Sequence, residues 1–310
     1  MRLLQRATAA APGEAIRPWR TTAFWWHSQP MRRALCLISA IGWLYAGAAC
    51  ATHQPPAATT SSKSGATSMA PTTMPGTGVA LRVYFVRAGK VATAGRNAAD
   101  PHSSMAAELA VRALLAGPDD FERGIGLSTE IPAATTLLGL NVAGGTATVD
   151  LSNDFRADGA ALPGAPMQLR VAEVVCTLTQ FAGVDQVTIT VAGKPLEGAA
   201  NLKRADIDAV LPRILIESPV PGQAVTSPLK VSGIANVFEG TVTYSVNAPD
   251  GAELDQGFTT VTGLEWGNWG PFAFTSNYST QRPGLGRVTV WEVSMKDGSH
   301  RNVYEVPVNF

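Results

Sequence analysis

Histidine, cysteine and carboxylate side chains are the groups that could carry chemistry here, and their spacing argues against catalysis. The chain has four histidines, His27, His53, His102 and His300, and three cysteines, Cys36, Cys50 and Cys176. No H-E-x-x-H or C-x-x-C spacing occurs, so no zinc site has a set of ligands. No G-x-S-x-G elbow presents a serine, and no motif places a histidine to activate Cys176. Asp150, Asp154 and Asp158 have a calcium-loop flavour, but the glycine and distal glutamate of an EF-hand are missing. Asp150 reads as the flank of a strand end, and Asp154 and Asp158 as parts of a solvated loop. Glu292, Ser294 and Asp297 look like a hydrolytic cluster only on paper, and a structural role on a strand and turn fits them better. The expectation is no catalytic residue, no metal ligand and no cofactor.

The strongest signal is positional. Arg32-Arg33 precede an apolar run from Ala34 to Ala46, and Gly47-Ala48-Ala49 lead into Cys50. A basic start, a short apolar stretch and a small-residue exit make an export signal, too short for a permanent span of a ~30 Å bilayer core. Met31 stands just before the arginines as an alternative start. Two outcomes are open at the exit. Lipidation of Cys50 would anchor the chain to a membrane, as in a bacterial lipoprotein box, although Gly47 stands where that box prefers leucine. Cleavage after Ala46-Gly47-Ala48 would release a secreted protein. The cysteine at the boundary between greasy run and polar tail favours lipid attachment. Residues 1–50 are thus read as the signal, and Cys50 as the lipid site.

Charge narrows the partners. Residues 1–49 hold six arginines against Glu14, which leaves 18 basic and 23 acidic residues beyond them, about −5 in all. That sign, without a basic cluster, excludes a nucleic-acid partner. Residues 51–78, rich in Ala, Thr, Ser and Pro, cannot bury enough to fold and read as a disordered linker of ~30 Å reach. Cys176 alone remains in the folded part, so no intramolecular disulfide can form there.

Two folded regions follow. From Val79 to Leu196 the pattern is strand, helix, hairpin, helix, strand. Val79, Leu81, Val83 and Phe85 alternate; Ser104–Ala116 has a helical face stopped by Gly117-Pro118. Leu138, Leu140 and Val142 alternate into Gly144-Gly145, and Ala147, Val149 and Leu151 alternate back. Met167–Phe181 is a second helix with Met167, Val171, Val174, Val175, Leu178 and Phe181 on its core side, before the strand Val187–Val191. This is an α+β layer fold. Leu169 and Cys176 lie on the opposite face of the second helix, a minor apolar stripe that makes them a candidate interaction surface. Docking of the C-terminal sandwich of the same chain would cover them equally well. Residues 198–212 are a connector with no apolar run, so each side should hold its own core. Beyond it, about seven short strands at Ile214–Glu217, Leu229–Ile234, Thr241–Asn247, Phe258–Val261, Phe272–Asn277, Arg287–Ser294 and Asn302–Asn309 predict a β-sandwich over 213–310. Phe272 and Phe274 are in phase for its core, Trp269 for a sheet edge, and Trp266 is the aromatic best placed for exposure.

The segment Thr148-Val149-Asp150-Leu151-Ser152-x-x-Phe155, the helix end Cys176-Thr177-Leu178-Thr179-Gln180-Phe181, and Gly183-Val184 through Gly193-Lys194-Pro195-Leu196 resemble the GerMN domain over residues 79–197. Leu114-Leu115-Ala116-Gly117-Pro118 and Ile131-Pro132 fit as well, while Cys176 replaces the aromatic often found there. Ser218-Pro219-x-Pro221-Gly222, Ser232-Gly233-x-Ala235, Trp269-Gly270-x-Phe272 and Glu292 to Ser299 are similar to the immunoglobulin-like domain that accompanies GerMN. The resemblance implies a fold like the ring-building motifs of secretion and sporulation complexes, followed by an immunoglobulin-like sandwich. It also implies a non-catalytic envelope protein of the sporulation and germination kind. Expected partners are the membrane, peptidoglycan or other envelope components, and further copies joined edge to edge.

Overall fold

A computed structural model describes residues 79–98, 105–263, 268–280 and 282–310, all within one compact unit. The expected export signal over 1–50 with Cys50, the expected linker over 51–78, and Trp266 lie outside the described residues. Among the described residues no helix is long and apolar enough to cross a membrane.

The first strand, β1 (Val79–Arg87), pairs antiparallel with β2 (Lys90–Ala98). The sequence pattern had no place for β2, because Val91, Ala92, Thr93 and Ala94 are all buried and so show no alternation. Ala88 and Gly89, both at positive φ, form the two-residue turn. Helix α1 (Ala106–Leu115) ends where Gly117, at φ +76°, donates its N–H to the Leu114 carbonyl. A one-turn helix, α2 (Asp120–Gly124), follows, with Asp119 and Glu122 capping each other's backbone N–H.

The predicted hairpin forms as β3 (Leu137–Ala143) and β4 (Thr146–Leu151), with Gly144 and Gly145 both at positive φ. Helix α3 (Ala165–Leu178) starts two residues earlier than its pattern suggested, since Pro166 is tolerated in the first turn. It is the crossover that lets β5 (Gln186–Val191) lie parallel to β4. The two-residue β6 (Lys194–Pro195) completes the order β3-β4-β5-β6.

The remaining strands are β7 (Ile214–Ser218), β8 (Leu229–Ala235), β9 (Thr241–Asn247), β10 (Glu253–Thr260), β11 (Gly270–Ser276), β12 (Leu285–Val293) and β13 (His300–Asn309). They make a sandwich of β10-β9-β12-β13 over β11-β8-β7. Phe272 is buried, and Phe274 stacks on Tyr244 of the facing sheet at 3.7 Å between ring centres, as their shared phase required.

The two regions do not keep separate cores. One buried cluster runs from Val83 through α3 and the connector to Val308. Ile207, Val210 and Leu211 of the connector are buried in it, although they form no run that the sequence would reveal. Contact is close enough to demand glycine. A Cβ on Gly95 of β2 would lie 2.4 Å from Val220 Cγ2, and one on Gly222 would lie 2.9 Å from Phe121. Wild-type protein should therefore unfold in a single calorimetric transition. Gly95→Leu should destabilise it by about 1–3 kcal/mol through overpacking and broaden or split that transition.

Candidate functional site

Helix α3 was expected to show one core face and one minor apolar stripe. Instead it is buried all round: Leu169 is 8% exposed and Cys176 is 0% exposed. Neither can dock a partner. The second face is covered by β1 and by the connector, not by the sandwich expected as the alternative cover, so the stripe is part of the core. Burial pushes the Cys176 thiol up to about 12, which leaves it an inert packing group.

The connector also carries a charge inward. Arg204, in a 3-10 segment over Arg204–Val210, reaches Glu217 Oε1 of β7 at 2.6 Å and the Tyr84 hydroxyl of β1 at 3.0 Å. It also donates to the Cys176 carbonyl at 3.2 Å and to Thr179 Oγ1 at 2.9 Å. Tyr84 donates to Glu217 at 2.5 Å, and the guanidinium lies 5.1 Å from the Tyr84 ring centre. Burial works against the Glu217 charge, but Arg204 beside it and the Tyr84 hydrogen bond hold its carboxyl below the usual range. Burial, reinforced by Glu217, raises the Tyr84 hydroxyl, so it stays a donor. For Arg204, Tyr84, Cys176 and Glu217 together outweigh the cost of burial and raise its affinity for the proton.

Around this cluster the junction is stitched by polar contacts. Thr93 Oγ1 donates to the Ile216 carbonyl at 2.8 Å, Arg87 to the Glu305 carbonyl at 3.0 Å and Lys90 to the Ala209 carbonyl at 2.7 Å. Trp269, expected at a sheet edge, donates its indole N–H to Asp208 of the connector at 2.5 Å. A groove of about 330 Å³ opens between Lys90, Asp208, Arg213 and Asn302, but Lys90 and Asp208 are already committed to these bonds.

A second buried ionisable group, Glu173 of α3, is 0% exposed and accepts from Thr129 Oγ1 at 2.8 Å and from the Glu130 N–H at 3.2 Å. Burial pushes its carboxyl up to about 8. One turn earlier Arg170, 3% exposed, donates to the Glu130 and Phe155 carbonyls and pairs with Asp158. The Arg170 hydrogen bond holds the Asp158 carboxyl well below the ordinary range, so Asp158 is an ion-pair partner and not a free loop residue.

The other candidate carboxylates are spent locally. Asp150 accepts from Thr190 Oγ1 and the Gly193 N–H, and Asp154 from Ser152 Oγ. Glu292 accepts from the Phe238 N–H and from Asn302, while Asp297 accepts from Ser299 within the turn before β13. His300 stacks on Trp291 at 4.4 Å. Among the described residues no group of three His, Cys, Asp or Glu side chains could hold a metal ion.

Strand edges differ in how they are finished. The turn geometry of the β1–β2 hairpin points the backbone of Arg82, Tyr84 and Val86 outward. Gln180 Oε1 accepts from the Arg82 N–H and its amide donates to the Arg82 carbonyl. Thr177 Oγ1 accepts from the Tyr84 N–H, and Ser128 exchanges two bonds with Val86. β3 has no such cover: Leu138 is 55% and Val142 45% exposed, although they belong to the alternating set of the predicted hairpin. β3 lies at the margin of its sheet, and the bulge between Leu137 and Gly139 takes Leu138 out of the ladder.

Of the residues that sequence reasoning missed, Asp119 and Glu122 were legible as a D-x-x-E capping box. Tyr84, Arg204, Glu217 and Glu173 carried no local signal, because each becomes meaningful only against residues far away in the chain.

Two comparisons match this architecture by family. Residues 82–197 match the Germane domain of sporulation and spore germination, and residues 213–299 match Gmad2, the immunoglobulin-like domain of bacterial spore germination. Among solved structures, the first GerMN domain of the sporulation protein GerM from Bacillus subtilis is 24% identical, covering 41% of this chain and 99% of that one, with a TM-score of 0.33. The tandem GerMN domains of the same protein are 19% identical, covering 66% of this chain and 63% of that one, at 0.34. No curated protein matches.

Two outcomes test the buried charges. Arg204→Leu strands Glu217 and should cost about 3 kcal/mol in urea denaturation, with part regained by adding Glu217→Gln. Glu173 keeps its proton in the native state up to about pH 8, whereas the unfolded chain loses it near 4.5. Stability should therefore fall as pH rises through that window and level off above it. Glu173→Gln should flatten this dependence and raise stability at pH 8.5 by on the order of a few kcal/mol, read from denaturation midpoints at pH 5 and 8.5. With those roles given to structure, the chain is a GerMN-like domain followed in tandem by the immunoglobulin-like domain of bacterial spore germination.

Proposed function

We propose that the chain is a non-catalytic envelope lipoprotein, tethered through Cys50, that presents its two domains as one fixed binding frame in a sporulation or germination setting. The observation that carries this reading is where the polar chemistry goes. Arg204, Glu217, Tyr84, Thr93 and Lys90 are all engaged in holding one domain to the other. A frame of this kind works by association, because nothing in it is poised to transfer a proton or a group. The ligand class that suits an envelope tether of ~30 Å reach is the wall polymer or a neighbouring envelope protein. A second reading, a scaffold that assembles through the edge of the GerMN domain, draws support from the uncovered β3.

Both parts are open to test. Cys50→Ser should move the protein from the membrane fraction to the medium or block its processing. Failure of a fatty-acid analogue to label the wild type would remove the lipid anchor. Purified cell wall should retain the wild-type protein in a pull-down, and Arg204→Leu, which loosens the frame, should weaken retention. Wild-type protein that washes off the wall and stays monomeric and partnerless in membrane extracts would overturn the binding reading.

A further inference from the structure

Every other outer strand edge in the described residues is finished in one of the ways that prevent pairing with another chain. β1 is capped by Gln180, Thr177 and Ser128. β2 and β7 face each other through Thr93 and Ile216. β5 is covered by backbone bonds from Ala199 and Leu202, and β6 is two residues long. β11 is covered by Thr259 and Thr262, and β13 by the segment from Gly222 to Val225. β10 carries Glu253, Asp255 and a bulge. β3, Leu-Leu-Gly-Leu-Asn-Val-Ala, has no charge, no proline and no cover among the described residues, and its bulge between Leu137 and Gly139 leaves Leu140–Ala143 in regular register.

Its geometry specifies what can be added. The two-residue turn makes Ala143 and Thr146 a hydrogen-bonded pair, so the backbone groups of Leu140 and Val142 point outward. The β1–β2 hairpin confirms the rule, since its outward residues at the same spacing are those that Gln180, Thr177 and Ser128 satisfy. We infer that β3 pairs antiparallel with β3 of a second copy, about a twofold axis through Asn141. This rests on the assembly reading above and names its site and partner.

The strand is its own complement in that register. Leu140 meets Val142 of the other copy and Val142 meets its Leu140, so both outward pairs exchange backbone bonds. Their half-exposed apolar side chains then cover each other. Gly139 falls opposite Ala143, and a side chain at Gly139 would meet nothing within 4 Å, so the crossing is unobstructed. The exposed Asn141 side chains meet at the axis, where an amide can both donate to and accept from its copy. With no charge on either strand, no like charges oppose. The pairing is isologous and closes at a dimer, joining two four-stranded sheets into one.

Cysteine crosslinking of the full chain in isolated membranes tests the register. In the new ladder Asn141 and its copy form a non-hydrogen-bonded pair, with Cα atoms about 4.5 Å apart, within disulfide reach. Asn141→Cys should give a covalent homodimer under mild oxidation, and Ala143→Cys, which the axis holds apart from its copy, should give only the background of the parent chain. Adding Val142→Lys to Asn141→Cys should suppress the crosslink, and Val142→Lys alone should weaken self-association about tenfold or more in a sedimentation series in detergent. Val142 is half-exposed, so an unchanged circular dichroism spectrum will separate lost pairing from lost folding. Equal crosslinking at both positions, or a wild-type monomer at all concentrations, overturns the pairing. A crosslink from Asn141→Cys to a different protein overturns self-pairing but leaves the assembly reading standing. No adduct of either kind, with no wall retention, removes both.

Discussion

Arg204 sets the constraint that the rest of the molecule obeys. A guanidinium largely withdrawn from water must find anions and carbonyls, and no single domain supplies them all. Glu217 comes from the sandwich, Tyr84 from the first strand, and the Cys176 carbonyl and Thr179 from α3. Satisfying one side chain therefore fixes the relative position of three elements and both domains. The continuous apolar cluster provides the bulk of the stabilisation, while the charge gives that cluster a single register.

Helix α3 shows how such a structure departs from layer logic. A helix on one sheet needs one apolar face, and the stripe through Met167, Val171, Val174 and Leu178 provides it. The opposite face carries Cys176 and Thr177 because it too meets protein, at β1 and the connector. Polar residues placed there are chosen for the bonds they make inward. Thr177 and Gln180 close the edge of β1, and Glu173 receives Thr129 and Glu130.

Much of this was legible in the residues. Gly144-Gly145 announced a hairpin, Gly117-Pro118 a helix end, and six strands of the sandwich fell close to where their alternation put them, while β10 begins at Glu253, five residues before the expected Phe258. What failed to show was set by distance. β2 hid because a strand buried on both faces has no period. Leu169 and Cys176 read as a surface because a helical wheel knows only its own helix. The connector read as a mere link between separate cores because Ile207, Val210 and Leu211 are scattered, and only the fold brings them into one core. Leu138 and Val142 erred the opposite way: a bulge between Leu137 and Gly139 takes Leu138 out of the alternation, and Val142 lies half uncovered on the outermost strand.

The caps on the first hairpin come from late in the chain. Gln180 serves Arg82 from 98 residues away, Ile216 accepts from Thr93 across 123, and Glu305 accepts from Arg87 across 218. Synthesis proceeds from the N-terminus, so β1 and β2 emerge long before the groups that finish their edges. During that interval the hairpin is an open template for aggregation and a substrate for proteases. The order of assembly thus assigns the greatest dependence on chaperoning to the segment nearest the start of the fold. A chain truncated before β13 keeps the Gln180 and Ile216 caps but loses the Glu305 acceptor for Arg87 and the Tyr304 hydroxyl at Thr93.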